Sequence, residues 1–370
     1  MPEKGEHNLL QRRMISIDAL RGFDMFWIIG GGTIFRSLNE ALKHPATAWI
    51  GQQLLHVKWE GFRPWDLVMP LFLFVVGVVM PFSFNKRLAC GDSKRELYFH
   101  IVWRTMILFV LGMIAQGHLL TYDLSKIHIY CNTLQAIAAG YLIAAIVMLN
   151  MRVVWQAVTT GALLLLFWAL MMFVPVPGHG TGVLTQDGNL AIYLDKLILG
   201  RFQDGTSYTW ILSSMTFGCT VMLGVMAGHL LRSEKSGRAK TLWLLAATAA
   251  CLIIGLIWDI WFPIIKHLWT SSFVLFSAGW CYLLLALFYL LIDVWGFKKW
   301  AFGFVVIGMN AIAVYMVTRV FNFQQLGNIF VDGLDQWCGN WNPFIHAVAG
   351  FLVLWLLLWW MYRKRTFIRV

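Results

Sequence analysis

Long apolar runs alternate along the chain with short polar segments. A membrane-spanning helix needs about 20 apolar residues. Ten such stretches can be read, at approximately 17–36, 65–84, 99–118, 131–149, 153–174, 208–231, 242–262, 271–292, 301–321 and 343–362. In hydrocarbon the backbone amides must be satisfied within the segment, which makes each of these runs a helix. The pattern predicts an all-α fold: a polytopic membrane helix bundle of about ten transmembrane helices, forming one domain over residues 1–370.

The connecting segments alternate in basic content. Segments 1–16, 85–98, 150–152, 232–241, 293–300 and 363–370 hold most of the loop lysines and arginines, among them Lys86, Arg87, Lys94, Arg95, Arg232, Lys298, Lys299, Arg363 and Lys364. The positive-inside rule then predicts that both termini are cytoplasmic, with a cytoplasmic tail over about 1–16, and that His56 is extracytoplasmic. Residues 1–14 are polar and basic, without a signal-peptide pattern, so the first apolar run is expected to serve as an uncleaved anchor. The outer segments are the long ones. Segment 175–207 contains NLAIYLDKLILG, an amphipathic piece able to lie on the membrane surface. Segment 322–342 is rich in Asn, Gln and Trp, a composition that suits an interfacial belt and also a sugar-binding surface.

Composition narrows the function classes. Hydrophobic residues make up 59% and charged residues 13%, against about 25% charged in a soluble domain. The net charge of +11 is distributed over loops as topology requires, and no nucleic-acid partner is expected. Six cysteines occur without a CxxC pair. Cys131 and Cys338 are the two expected near the outer face, where a disulfide is conceivable. No HxxxH, HExxH or Cys/His ligand spacing is present, so no metal is expected. P-loop, dinucleotide-binding and GxSxG signatures are also missing.

The stretch HVKWEGFRPWDLVMPLFLFVVGVVMPFSF, residues 56–84, joins titratable chemistry to a membrane helix. Pro64 suits the first helical turn, and Asp66 suits the positive end of that helix. The alternative for Asp66 is that it orients His56. A histidine at a membrane mouth is well placed for proton exchange near neutral pH. Charges inside spans need a partner or a role. Asp18, Arg21 and Asp24 are spaced three apart on one helical face, either as a structural ion-pair stripe or as a site with Arg21 facing an anion. Gly30, Gly31 and Gly32 then permit close approach by a helix or ligand. Arg104 lies about a turn inside the third span. Asn132 and Gln135 share a face of the fourth. Asn310 is an intramembrane amide that glues helices or donates to a buried carbonyl. His229, His267 and His346 fall near span ends, where histidines are usually satisfied interfacial residues.

The stretches SIDALRG, HVKWEG and DLVMPLFLFVVG, followed by LWTSSFVLFSAGWCYLLLALFYLLID and GMNAIAVYM, together resemble the heparan-α-glucosaminide N-acetyltransferase family of multispan membrane acyltransferases. ILSSMTFGCTVMLGVMAG is similar more loosely. The ordered set runs over most of the chain. The resemblance implies an acetyltransferase of the cytoplasmic (inner) membrane, working as a homodimer. It would take acetyl-CoA from the cytoplasm and pass the acetyl group to an amino sugar on the far side. It makes His56 the active histidine, with Trp59 and Gly61 completing its motif. Gly32 stands where the family often has an Asn that contributes to the site, so the amide comes from elsewhere or the carbonyl is handled differently. The charged nucleotide end of acetyl-CoA should stay at the inner mouth near Arg21, Asp18 and Arg104. His56 then either accepts the amine proton or carries the acetyl group itself, and Asn310 is a candidate donor to the oxyanion. The competing class is a membrane transporter or permease for a small sugar or anion, motivated by Asp18, Arg21, Asp24 and Asn310 at depth.

Overall fold

The computed structural model describes residues 14–368, so the predicted tail over 1–16 falls almost wholly outside the described residues. Helix α1 (Ile15–Phe26) runs through a π-turn at Trp27–Gly31 into α2 (Gly32–Leu42), and α3 (Pro45–Gln53) follows. A 3-10 turn at Pro64–Leu67 opens α4 (Val68–Ala89). Next come α5 (Lys94–Ala115), α6 (Thr133–Asn150), α7 (Val153–Phe173), the short α8 (Leu190–Leu199), α9 (Ser214–Arg232), α10 (Gly237–Asp259) and α11 (Ser271–Tyr289). Helices α12 (Phe302–Gly308), α13 (Ala311–Val320), α14 (Phe323–Val331), α15 (Asp335–Cys338) and α16 (Asn342–Arg363) complete the chain. The described residues contain no β-strand, only the isolated bridges Glu60–Ile265 and Val176–Gly180.

Among the described residues, eight helices are long and apolar enough to cross a membrane, or nine if the bent pair Lys299–Gly308 and Ala311–Val320 counts as one span. The protein is thus an all-α, multi-pass membrane protein. The expected count of about ten is approximate. Its first stretch is helical, but α1 and α2 carry Asp18, Arg21, Asp24, Arg36 and Glu40, and that charge takes them out of the self-sufficient class. The ninth stretch bends by 63° at Met309–Asn310. All six cysteines are free thiols.

The chain divides into two compact units. The first consists mainly of Lys58–Phe62 and Met69–Leu287. Its helices start on local caps. Ser93 and Glu96 exchange hydrogen bonds with each other's backbone amides at the start of α5. Asn132 accepts from Leu134 N and Gln135 N at the start of α6. Small residues then bring backbones together. A Cβ on Gly77 would overlap the Val221 carbonyl, and one on Gly224 the Phe74 carbonyl, so α4 and α9 pack at glycine distance. Beside them Phe167, Met171, Phe262 and Leu268 form a fully buried cluster under the 175–207 segment.

That segment is fastened by Asp195. Its buried carboxylate accepts from Trp210 N at 2.7 Å and Ile211 N at 2.9 Å. Burial pushes its pKa up to about 6, against the lowering effect of those two N–H groups. The folded state therefore holds this proton more tightly than the unfolded chain, so Asp195 lowers stability as pH rises from about 4 to about 6. The change in unfolding temperature from pH 5 to pH 7.5 is expected to be more positive in Asp195→Asn than in the wild type. Equal changes in the two proteins would contradict this origin.

The second unit comprises Ile15–Val57, Arg63–Val68 and Phe288–Val370. Here α1 lies against α12. A Cβ on Gly22 would overlap the Phe304 carbonyl and one on Gly308 the Asp18 carbonyl. Phe23 fills the seam, 5.5 Å from the Phe288 ring and 5.6 Å from Phe304. Helix α14 docks on α16 where Gly327 meets Gly350.

Candidate functional site

His56 and Asp66 come together in the second unit. His56 Nδ1 is 2.7 Å from Asp66 Oδ1. The carboxylate is buried, with a side-chain exposure of 1%, while the imidazole is 45% exposed. Asp66 Oδ2 accepts from Arg63 N at 3.1 Å and from Val57 N at 3.3 Å. The sequence offered two roles for Asp66, and the geometry combines them: one oxygen serves the start of the helix and the other faces the histidine. With Nδ1–H donated to the carboxylate, the imidazole lone pair is placed on Nε2. That tautomer suits a base or a nucleophile, and the carboxylate favours the imidazolium that forms on proton uptake.

Pro64 explains why the contact forms. It starts the 3-10 turn at the first position, and Asp66 follows two residues later with its side chain turned back toward the incoming chain. Trp65 flanks the histidine, with ring centroids 6.3 Å apart. Gly32 lies on the other side of Trp65, and a Cβ there would run into the indole ring. The first residue of α2 thus belongs to the surroundings of His56 by making room for an aromatic ring. The Asn expected at this place from the family resemblance would collide with Trp65 as it stands. Neither Trp65 nor this role of Gly32 is signalled by the sequence.

Helix α1 breaks just before Gly32. Gly30 has φ 179° and ψ −31°, outside the helical range, and its Cα faces the Phe351 ring closely. The break borders a cavity of about 430 Å³ lined by Ile28, Gly30, Thr33, Arg319, Asn322 and Gln324, among others. That volume lies within the range of small-molecule sites. Arg319 lies over the Tyr315 ring, 5.0 Å from its centroid.

The other predicted residues make contacts of their own. Arg21 pairs with Asp18 at 3.9 Å. Asp24 does not join them in a stripe: it is buried, and neither carboxylate oxygen has a hydrogen-bond partner among the described residues. Arg104 belongs to the first unit, stacked 4.6 Å over Tyr141. Asn310, at the bend between α12 and α13, has its amide engaged by the chain end. Nδ2 donates to Thr366 O at 3.3 Å and Oδ1 accepts from Ile368 N at 3.0 Å. These contacts tie the bend to the segment that follows α16. In the first unit Trp59 donates to Leu184 O at 3.0 Å, and Gly61 N donates to Ile264 O at 2.8 Å. His229 meets Gln156 at 3.1 Å, and His267 meets Ser207 Oγ at 2.6 Å while stacking on Tyr208. Both fit the reading of span-end histidines as satisfied groups.

Fold and site together define an α-helical, multi-pass membrane protein with a carboxylate-held histidine beside the start of a spanning helix. No protein-family model matches the chain. Heparan-alpha-glucosaminide N-acetyltransferase of Homo sapiens is 26% identical over an alignment covering 98% of this chain and 60% of that protein. The Mus musculus protein of the same name is 27% identical, covering 85% and 56%. The chain is similar to these two N-acetyltransferases and spans about 60% of the length of the human relative.

Proposed function

We propose that the protein transfers an acetyl group from cytoplasmic acetyl-CoA to the amine of an amino sugar on the extracytoplasmic side of the cell's inner membrane. The observation that carries this reading is the exposed His56 held at 2.7 Å by the buried Asp66, directly before the spanning helix Pro64–Ala89. The names of the two relatives support acetyl transfer and an amino-sugar acceptor. The distribution of loop lysines and arginines supports cytoplasmic termini.

In this scheme the phosphates of acetyl-CoA stay at the inner surface because their charge bars them from hydrocarbon. The thin pantetheine arm carries the thioester outward. The amine nitrogen attacks the thioester carbonyl, and His56 Nε2 accepts the proton that the amine loses. The tetrahedral adduct then expels the CoA thiolate, which takes up the proton. If His56 Nε2 attacks first, the C–S bond breaks and the CoA thiolate leaves; the amine then displaces the imidazole from the acetyl carbon, and the proton it loses passes to the thiolate. The cavity beside Gly30 is the proposed space for the acceptor in the second unit. Arg21 and Asp18 are the proposed contacts of the donor in that unit, and a homodimer is the proposed assembly.

Purified protein incubated with labelled acetyl-CoA and a panel of amino sugars is expected to yield labelled N-acetyl sugar. Absence of product with every amine, together with no thermal stabilisation by acetyl-CoA, would overturn the proposal. Sugar uptake into vesicles that is indifferent to acetyl-CoA would favour a permease instead.

A further inference from the structure

We propose that Arg87, His100, Arg104 and Tyr141 hold the phosphate of an acidic phospholipid between helices α4, α5 and α6. All four belong to the first unit. His100 and Arg104 are four residues apart on α5 and share one of its faces. Arg87 comes from the last turn of α4, and Tyr141 from the middle of α6. The Arg104 guanidinium lies 4.6 Å over the Tyr141 ring, and the Phe84 ring meets the same tyrosine edge-on at 6.3 Å. Arg87 and Arg104 both act electrostatically on the His100 ring and on the Tyr141 hydroxyl, so the four groups converge.

Two donors in this group lack an acceptor. Tyr141 is fully buried, and its hydroxyl has no hydrogen-bond partner among the described residues. The Nε–H of Arg104 is buried and equally without one. Unpaired buried donors are costly, and in hydrocarbon no water replaces the missing acceptor. A guanidinium accepts no hydrogen bond, so it cannot serve the tyrosine O–H. What both groups need is an acceptor, and beside two arginines an anionic one. Asp92 does not fill that role, because it is turned to Arg87 at 3.2 Å. With that pair neutralised, the charge of Arg104 is in excess. A phosphate brings negative charge and several acceptor oxygens, and it suits the planar fork of arginine. The stacking of Arg104 on Tyr141 would be complete as a structural contact without it, except for the two idle donors.

The position of α5 says what carries the phosphate. Phe99, Trp103 and Met106 flank His100 and Arg104 in sequence and are exposed. On a helix long and apolar enough to cross the membrane, such residues meet acyl chains. A lipid can lie along them with its headgroup at Arg104, whose apolar stem lets the charge reach toward the membrane surface. Basic pockets between spanning helices are a recurring place for acidic headgroups. Lys86, Lys94 and Arg95, at the neighbouring ends of α4 and α5, add to the positive character of this end. Acetyl-CoA, the donor in the proposed reaction, is the other bearer of phosphate, and the experiment separates the two.

The test uses the full chain, delipidated in a neutral detergent, and native mass spectrometry after addition of phosphatidylglycerol or phosphatidylcholine. Selective retention of phosphatidylglycerol is expected, with a higher unfolding temperature than phosphatidylcholine gives. Arg104→Gln and Tyr141→Phe should each weaken that retention by roughly tenfold, the scale of a lost hydrogen bond to a charged group. Tyr141→Phe removes only an idle hydroxyl, so it is expected to fold even if the arginine variant does not. A merely structural role for that hydroxyl would leave lipid retention unmoved. Unchanged retention in Tyr141→Phe would therefore overturn the proposal, as would equal retention of the two lipids. Stabilisation by CoA through these side chains, with none by phosphatidylglycerol, would overturn the assignment to a lipid. Acetyl transfer enters none of these readouts.

Discussion

Replacing His56 with alanine is expected to lower acetyl transfer by about three orders of magnitude, within the range that a positioned acid–base group contributes, while leaving the unfolding temperature nearly unchanged. The two halves of this expectation have different origins. The imidazole is 45% exposed, so its removal forfeits little burial. Asp66 keeps two backbone donors, Val57 N and Arg63 N, so its buried carboxylate is not left without partners. The chemistry, by contrast, depends on the imidazole that Asp66 orients. The same variant separates the two routes. If His56 carries the acetyl group, wild-type protein incubated with labelled acetyl-CoA and then denatured retains label, and His56→Ala does not. Undiminished turnover in the variant would remove His56 from the mechanism.

Asp66→Asn is expected to cost about 10²–10⁴ in kcat, the scale of a lost acid–base alignment, with a much smaller change in KM for acetyl-CoA. The carboxylate accepts hydrogen bonds from His56, Val57 and Arg63. An asparagine side chain has one acceptor atom to divide among them. If its NH2 group turns to the imidazole, Nδ1 becomes the acceptor and Nε2 carries the hydrogen, the tautomer with no lone pair at Nε2 to take the amine's proton. If its oxygen turns there, the two backbone donors at the helix start face an NH2 group, at a cost of about 1–3 kcal/mol for groups left unsatisfied. A purely structural role for Asp66 would change the unfolding temperature and leave kcat in the folded fraction intact. That result would sink the positioning role.

Much of the architecture was legible in the sequence because lipid imposes a simple rule. A long uncharged run must be a helix, and α4 to α7, α9 to α11 and α16 fall on such runs. The first stretch was less legible, since the charges on α1 and α2 carry opposite information from its apolar residues. The pairing of His56 with Asp66 was half visible. Ten residues separate them, and only the turn set by Pro64 brings the carboxylate back to the ring. Contacts across long separations were not visible at all. The amide of Asn310 is held by residues 56 and 58 positions further on, partners that no local pattern announces. Asp24 shares the spacing of Asp18 and Arg21, yet it is buried while Arg21 pairs with Asp18, and spacing on a helix does not decide which groups meet. Trp65 gave no signal because its importance comes from Gly32, which is distant in sequence and lacks a side chain to suggest it.

The pairing of α1 with α12 bears on how the polypeptide is made. Ser16 N meets Asp293 Oδ2 across 277 residues of chain, and Gly22 nests against the Phe304 carbonyl near the same end. A ribosome releases α1 long before these counterparts exist. Until they emerge, a segment bearing Asp18, Arg21 and Asp24 has no favourable residence in the bilayer. Helix α1 is therefore seated only after residues 293–308 have been made, and in truncations ahead of residue 300 it should be open to water-soluble labelling reagents while the spanning helices after it remain embedded.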